Sequence, residues 1–394
     1  MTSSRQPIAG TPSLLRAMND RAALELLLSK GPLSRTQIGA LTGLSKPTAS
    51  QLLARLEEGG LVVPVGTSAG GPGPNAQLYQ VNPAAGAAAG LDVTGTGVRI
   101  AIADITGTIL AEHEVSSRGW QAAQTIDKVS EALAATTDLA GLTPNALGRA
   151  VIGIGGALDP ATGRLRYATH LPGWHSPTLV SDLEAAVGVP VSIENDVNLA
   201  AVAEQIHGVA QDCEDFALLW VGEGIGAAIV IGGRLHRGFT GGAGEVGYMP
   251  VPGAPIVHNV RRKNSGGFQE LAGAPAVRAL ARENGLTAPS AAAAVAKARK
   301  TSGAGDAFLT ELADRLALGL AAIVSVVDPQ VLILAGEVPR AGGERLRALV
   351  EASLAELTFQ RPAVRSSAIA GSPILHGALE RALAAVRDDV FSTH

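Results

Sequence analysis

The sequence predicts an N-terminal winged helix-turn-helix followed by a two-lobed α/β body. Three observations on this 394-residue chain predict it. A serine-capped helical pair and two candidate strands lie within residues 1–82, and short β-rich runs alternate with helices from residue 86 onward. The third observation is a glycine count of 48, which indicates many tight turns between these elements. Alternating strands and helices are typical of α/β folds. We expect three domains, at 1–82, 83–200 and 201–394, and we expect the C-terminal helix to pack back on the first lobe.

Residues 34–62 predict the helix-turn-helix. Ser34 and Ser45 each precede a helical pattern, where a serine hydroxyl can accept an unpaired backbone N–H. Gly43 supplies the turn between the two helices. Four apolar residues of the second helix recur at helical spacing and predict one buried stripe: Ala49, Leu52, Leu53 and Leu56. An ordinary amphipathic helical hairpin is the alternative interpretation.

The remaining face of the second helix carries side chains suited to DNA. We expect base contacts from Lys46, Thr48, Ser50 and Gln51, and phosphate contacts from Arg35 and Arg55. Residues 1–81 hold seven basic and four acidic side chains, whereas the rest of the chain holds 24 and 31. The head thus carries a net positive charge and the body a net negative charge. This division favours binding of double-stranded DNA, a polyanion, by the head and not by the body.

Neighbouring segments complete the predicted winged helix. Residues 61–65 and 76–81 are expected to form two short strands, and the Gly/Pro-rich loop 66–75 is expected to join them as a wing. Ahead of them, residues 12–30 predict a packing helix. Its expected buried side consists of Leu15, Met18, Ala22 and Leu26.

Composition excludes several classes of protein. A single cysteine, Cys213, rules out an intrachain disulfide and a multi-cysteine metal site. The N-terminal residues lack the apolar core of a signal peptide. The longest apolar stretch, 216–233, is interrupted by Glu223 and several glycines. We therefore expect a soluble cytoplasmic protein with no membrane partner.

The body predicts two α/β lobes with a cleft between them. The expected strands are 88–93, 98–104, 108–115, 150–155, 190–196, 216–221, 225–231 and 331–335. The expected helices are 121–139 and 312–327, and a further helix follows the strand at 190–196. The hairpin at 216–231 repeats the arrangement of the first hairpin, which indicates two related lobes.

Seven short motifs give the body a resemblance to the ROK family of repressors, open reading frames and sugar kinases, in its regulator branch with a winged helix. They lie at 91–96, 153–159, 171–174, 194–198, 222–226, 241–247 and 333–337. One glycine-rich string alone is weak evidence, whereas seven in this order are specific. The resemblance runs from about residue 12 to the C-terminus and implies an actin-like ATPase fold with a sugar site between the lobes.

Similar sugar kinases hold ATP on two glycine-rich hairpins and use one aspartate as the base on the sugar hydroxyl. The resemblance places that base at Asp196, here expected to be vestigial; a helix cap formed by Asn195 and Asp196 is the alternative. Thr94 replaces a glycine of the first hairpin, and Glu223 replaces a threonine of the second. A β-branched side chain obstructs the approach of an anion to backbone amides, and a carboxylate repels phosphate. We expect no enzyme activity and no cofactor, with an active ATP-dependent sugar kinase using Asp196 as the alternative.

The resemblance also implies a structural zinc site whose ligands are absent here. Tyr248 falls in the histidine slot, and Arg261, Lys263 and Phe268 fall in the cysteine slots, so we expect no bound metal. The sugar-binding positions of the family fall on Asn195, Asp196, Glu245, Tyr248 and Glu270, with His170 in a slot that is often asparagine. Amides and carboxylates bridge sugar hydroxyls, which favours a carbohydrate effector. A remodelled loop at 251–267 that binds another ligand, or none, is the alternative.

The head and the body together predict a sugar-responsive, or otherwise small-molecule-responsive, regulator that represses transcription from operator DNA. We expect a homodimer or homotetramer that places two recognition helices about one helical turn apart in the major groove. A ligand that closes the cleft would change the spacing of the heads, provided that it prefers one spacing.

Overall fold

A computed structural model describes residues 12–68, 76–159, 161–166, 171, 173–256 and 266–392 of the chain. The expectations for His170, Arg261, Lys263 and most of the wing loop lie outside these residues. None of the described helices combines the length and the apolar character that crossing a membrane requires.

The described part of the head contains three helices and a three-stranded antiparallel sheet. Its elements are α1 (Pro12–Lys30), β1 (Leu33–Ser34), α2 (Arg35–Thr42), α3 (Lys46–Glu58), β2 (Val62–Thr67) and β3 (Gln77–Val81). β3 is the central strand, between β1 and β2. The predicted winged helix-turn-helix is confirmed, although β1 was too short for the sequence pattern to indicate.

Both predicted serine caps are present. The Ser34 hydroxyl accepts a hydrogen bond from the backbone N–H of Gln37, whose side-chain oxygen accepts one from the Ser34 N–H at 2.8 Å. The Ser45 hydroxyl accepts from the backbone N–H of Thr48 at the start of α3. Gly43 ends α2 in the left-handed conformation that a non-glycine residue rarely adopts.

The predicted buried face of α1 is wrong except at Leu26, which is partly buried and packs against the core. Leu15 and Met18 are 55% and 59% exposed, whereas Ala23, Leu24 and Leu27 are fully or almost fully buried. Apolar side chains surround most of this helix, so periodicity alone does not select the packed face. The head core and the adjoining body select it instead, because the buried face contacts both.

The first lobe is a five-stranded mixed sheet with helices beside it. Its elements are β4 (Ala87–Val93), β5 (Gly97–Asp104), β6 (Ile109–Ser116), α4 (Thr125–Leu139), β7 (Leu147–Ile154), β8 (Ala157–Leu158), β9 (Leu165–Arg166), α5 (Leu179–Val187), β10 (Val191–Asn195) and α6 (Asp196–Ile206). The order of the main sheet is β10-β7-β4-β5-β6, and β8 and β9 form a separate ribbon. α4 begins later than predicted, after a short 3₁₀ turn. The boundary expected after residue 200 falls inside α6.

The second lobe repeats this strand arrangement. Its elements are β11 (Phe216–Val221), β12 (Ile225–Ile231), β13 (Arg234–Leu235), α7 (Phe268–Ala272), α8 (Ala274–Glu283), α9 (Ala291–Ala298), α10 (Ala304–Val327), β14 (Val331–Ala335), α11 (Glu337–Leu357), β15 (Ala363–Ser366) and α12 (Pro373–Ser392). The sheet order is β13-β12-β11-β14-β15. In each sheet an antiparallel three-stranded meander continues through two parallel strands. This duplication is the actin-like fold that the sequence predicts, and α10 is a full two turns longer than predicted.

α12 lies against the sheet of the first lobe. A Cβ atom added to Gly90 would lie 2.6 Å from the Leu379 backbone nitrogen, and one added to Gly377 would overlap the Leu199 carbonyl oxygen. These two glycines therefore let the backbone of α12 rest directly on β4 on one side and on α6 on the other.

Candidate DNA interface and effector site

The recognition helix α3 exposes most of the side chains predicted to contact bases. Lys46, Thr48 and Gln51 are exposed, and Ser50 is half-buried. The hydroxyl of Thr48 bonds that of Ser45 at 2.8 Å, and the hydroxyl of Ser50 donates to the Lys46 carbonyl at 2.8 Å. Lys46 and Gln51 therefore have the greatest freedom to reach a base edge, whereas both hydroxyls already have a partner within the helix.

The two arginines expected on phosphates differ in their surroundings. Arg35 is exposed at the start of α2. Arg55 donates from its guanidinium to the buried carboxylate of Asp20 on α1, at 2.7 Å. This ion pair joins the recognition helix to α1, a structural role for Arg55 that no local sequence pattern indicates.

Asn195 and Asp196 lie where β10 ends and α6 begins. The Asn195 side chain accepts from the Asn198 backbone N–H and donates to the Gly156 carbonyl, both at 3.0 Å. Asn195 is therefore the helix cap that the alternative interpretation described. Asp196 is the first residue of the helix rather than its cap, and its carboxylate accepts from the Val197 backbone N–H at 2.8 Å.

The charges of three carboxyl groups are linked in sequence here, because Asp92 acts on Asp196 and Asp196 acts on Glu245. Burial and the neighbouring charge of Asp196 raise the pKa of Glu245 to about 7. Burial, with a smaller contribution from the charge of Asp92, raises the pKa of Asp196 to about 6. Asp92 is buried and accepts from the Ser372 hydroxyl at 2.8 Å, while its other carboxylate oxygen has no hydrogen-bond partner. An acidic, partly protonated cluster suits neutral polar ligands better than anions.

Tyr248 and Glu270 occupy neighbouring segments of the second lobe. Tyr248 ends a short 3₁₀ turn, and Glu270 lies in α7. Between these segments, the backbone of Gly267 packs against that of Tyr248 with a positive φ of 83°. Of the predicted ligand residues, Asp196 and Glu245 lie close enough for their charges to interact, Asn195 adjoins Asp196, and Tyr248 ends the turn that follows Glu245. Their roles in ligand binding remain predictions.

The residues in the described zinc slots do not fit a zinc ion. Phe268, in one cysteine slot, is fully buried in the core of the second lobe, where its ring fills the space beside Gly319. Tyr248 replaces the histidine. Across the described residues, no group of three or more His, Cys, Asp or Glu side chains is arranged to hold a metal.

Two residues that the sequence did not single out make structural contacts near the site: Arg237 joins the two lobes, and Gln269 joins two segments of the second lobe. Arg237, in the second lobe, forms a 2.6 Å ion pair with Glu194 at the end of β10. Gln269 accepts from the Ile225 backbone N–H at 2.8 Å and donates to the Glu223 carbonyl, which fixes the turn between β11 and β12 to α7. Glu194 is the first residue of the motif at 194–198 and so had a sequence signal, whereas Arg237 and Gln269 had none.

In the first glycine-rich hairpin, the Thr94 side chain bonds to two backbone amides of the turn. The Thr94 hydroxyl oxygen lies 3.4 Å from the backbone nitrogen of Thr96 and 3.2 Å from that of Gly97, and it accepts from both N–H groups. A phosphate would need such amides. In the second hairpin the Glu223 side chain is exposed at the turn. In the described structure, Thr94 thus engages two amides of the first hairpin and Glu223 places a carboxylate at the turn of the second.

Comparison with known proteins assigns the chain to a class. The ROK family model matches residues 88–378, and the MarR family model matches residues 19–71. The chain belongs to the ROK family, and its winged-helix head makes it a DNA-binding transcriptional regulator of that family.

Individual relatives agree with this assignment. A putative xylose repressor from Caldicellulosiruptor sp. strain Rt8B.4 is 27% identical over 358 residues, which cover 86% of this chain and 89% of the relative. The DNA-binding transcriptional dual regulator NagC of Escherichia coli K12 is 26% identical over 363 residues, 86% of each chain. The crystal structure of a ROK family transcriptional regulator, a homologue of the E. coli MLC protein, covers 96% of this chain and is itself fully covered. Its TM-score is 0.74 at 18% identity, which establishes the shared fold.

Proposed function

We propose that this protein is a repressor that binds operator DNA through α3 and releases it when a neutral sugar occupies the cleft beside Asn195, Asp196 and Glu245. The observation that carries the proposal is the joining of an exposed, serine-capped recognition helix to a ROK body whose first phosphate hairpin is occupied by Thr94. Lys46 and Gln51 contact bases, and Arg35 contacts phosphate. The xylose repressor relative makes xylose the first sugar to test.

The acidic cluster favours a neutral sugar over a sugar phosphate. Two unit charges about 4 Å apart repel by roughly 4 kcal/mol at an effective dielectric constant near 20. A phosphate group placed beside Asp196 and Glu245 would experience this repulsion, whereas hydroxyl groups donate hydrogen bonds to the same carboxylates. Glu270 and Tyr248 complete the proposed pocket from the second lobe.

Selection of DNA from a random pool by the purified full-length protein tests the DNA-binding half of the proposal. We expect enrichment of a sequence with two related half-sites about one helical turn apart, because a symmetric oligomer presents two copies of α3. Gln51→Ala should relax the selected sequence, while Arg35→Ala should weaken binding to selected and unrelated DNA alike. Equal losses of sequence preference and of overall DNA affinity in the two variants would contradict these roles.

A sugar kinase is the second candidate function, and the retained Asp196 is the observation that favours it. In that role the carboxylate would accept the proton of a sugar hydroxyl during phosphoryl transfer. A coupled assay of ATP turnover across a panel of neutral monosaccharides, including xylose and glucose, separates the two candidates. We expect no sugar-dependent turnover, and turnover that disappears in Asp196→Asn would establish the kinase instead.

A further inference from the structure

α12 connects the effector cleft to the DNA-binding head. Just before its first turn, the Ser372 hydroxyl donates to the buried Asp92 carboxylate at 2.8 Å and accepts from the Leu375 backbone N–H at 3.2 Å. Near its other end, Asp388 forms a 2.5 Å ion pair with Arg21 on α1. A 20-residue helix is about 30 Å long, so one rigid element joins the two places.

The position of α12 follows that of α6. The close backbone contact at Gly377 places α12 directly against Leu199 of α6, the helix that begins at Asp196. The end of α6 is attached as well, because the His207 ring nitrogen lies 2.7 Å from the Glu380 carboxylate on α12. Well-packed interiors transmit displacement rather than absorb it, so a shift of α6 on ligand binding moves α12.

α1 contacts both α12 and the recognition helix α3. Arg21 reaches outward to Asp388 of α12, and the preceding residue, Asp20, holds Arg55 of α3. Consecutive helical residues point about 100° apart, which lets one turn of α1 contact the body on one side and α3 on another. The contacts therefore run without interruption from Asp92 through α12 and α1 to α3.

We propose that Arg21 and Asp388 are positioning residues for DNA recognition, whose ion pair sets the orientation of α1, and with it α3, relative to α12. The proposal rests on the proposed function and specifies how the body controls the head. Both side chains are about half exposed, and exposed ion pairs contribute about two- to fivefold to an equilibrium constant. A contact of this strength holds one orientation without preventing the rearrangement that a bound effector requires.

Asp389 provides a matched control for Asp388. It is the next residue on α12, has similar exposure, and pairs at 3.2 Å with Arg149 of the body. Asp388→Asn and Asp389→Asn remove the same charge at nearly the same distance from DNA. The readout is the ratio of affinity for selected DNA to affinity for unrelated DNA, which a general change in charge leaves unaltered.

We expect Asp388→Asn to lower this ratio about two- to fivefold, with no change in the melting temperature, and Asp389→Asn to leave it unchanged. Arg21→Asp should lower the ratio further, because it places a carboxylate beside both Asp388 and Glu25, the two residues that pair with Arg21. Arg21→Asp combined with Asp388→Arg should restore the ratio. Equal ratios for the two asparagine variants, or no restoration by the charge swap, would overturn the positioning role. Failure of the wild-type protein to select any DNA would overturn the proposed function and this inference together.

Discussion

At the scale of single residues, the carboxyl groups of the cleft make stability depend on pH. Burial raises the pKa of Glu245 to about 7 and that of Asp196 to about 6, so the folded protein holds these protons more tightly than the unfolded chain does. The stabilisation that this provides is complete below about pH 4, where these groups titrate in the unfolded chain, and it is lost as pH rises through 6 to 7.

Glu245→Gln should therefore flatten the fall in stability between pH 5 and 8. An amide does not ionise, so the free energy of unfolding of the variant, relative to that of wild type, should rise by on the order of 2 kcal/mol from low to high pH. Thermal unfolding measured across this range tests the expectation. Glu58→Gln, an exposed substitution on the recognition helix, is the control and should follow wild type. A wild-type pH profile for Glu245→Gln would show that this carboxyl is not the source.

Thr94 and Glu223 give a second prediction at this scale. Wild-type protein is expected to show no saturable ATP binding. Thr94 occupies the amides of the first hairpin, and the negative charge of Glu223 alone is expected to weaken phosphate binding about a thousandfold. Thr94→Gly combined with Glu223→Thr should produce measurable binding by calorimetry, whereas Thr96→Gly should not. Equal ATP affinity of wild type and the double variant would contradict this explanation.

At the scale of elements, the cap of α3 should determine how well the recognition helix is held. Ser45→Ala removes the hydroxyl that accepts from the Thr48 N–H and bonds the Thr48 hydroxyl, a loss of about 1 kcal/mol. We expect the first amides of α3 to exchange hydrogen about fivefold faster. Ser29→Ala, in α1, removes a hydroxyl that only donates to a carbonyl and should leave α3 unaffected. Equal exchange in both variants would contradict the capping role.

Elements with local signals were predictable from the sequence, and those defined by distant contacts were not. The caps at Ser34 and Ser45, the turn at Gly43 and the stripe of α3 follow from short-range rules, and the structure contains them all. The packed face of α1 depends on contacts with the body, so its own apolar pattern indicated the wrong side. The ion pairs of Arg55 and Arg237 join positions 35 and 43 residues apart in the chain, and no local pattern marks them.

At the scale of the whole molecule, the head and the body form one connected system. The buried face of α1 belongs to the same apolar cluster as α12 and the sheet of the first lobe. The candidate site was predictable only through motif resemblance, because Asp92, Asp196 and Glu245 come together from three separate segments. What the resemblance did not provide was the attachment of α12 to both the cleft and the head. That attachment depends on Ser372, Gly377 and Asp388.

The most direct test of a sugar-controlled DNA-binding protein is a titration of the monosaccharide panel into its complex with the selected DNA, followed by fluorescence anisotropy. At least one neutral sugar should weaken the specific complex and leave binding to unrelated DNA unchanged. By linkage, the same sugar should bind the DNA-bound protein more weakly by the same factor. A specific complex that no sugar weakens, or a sugar that binds free and DNA-bound protein equally well, would contradict the account.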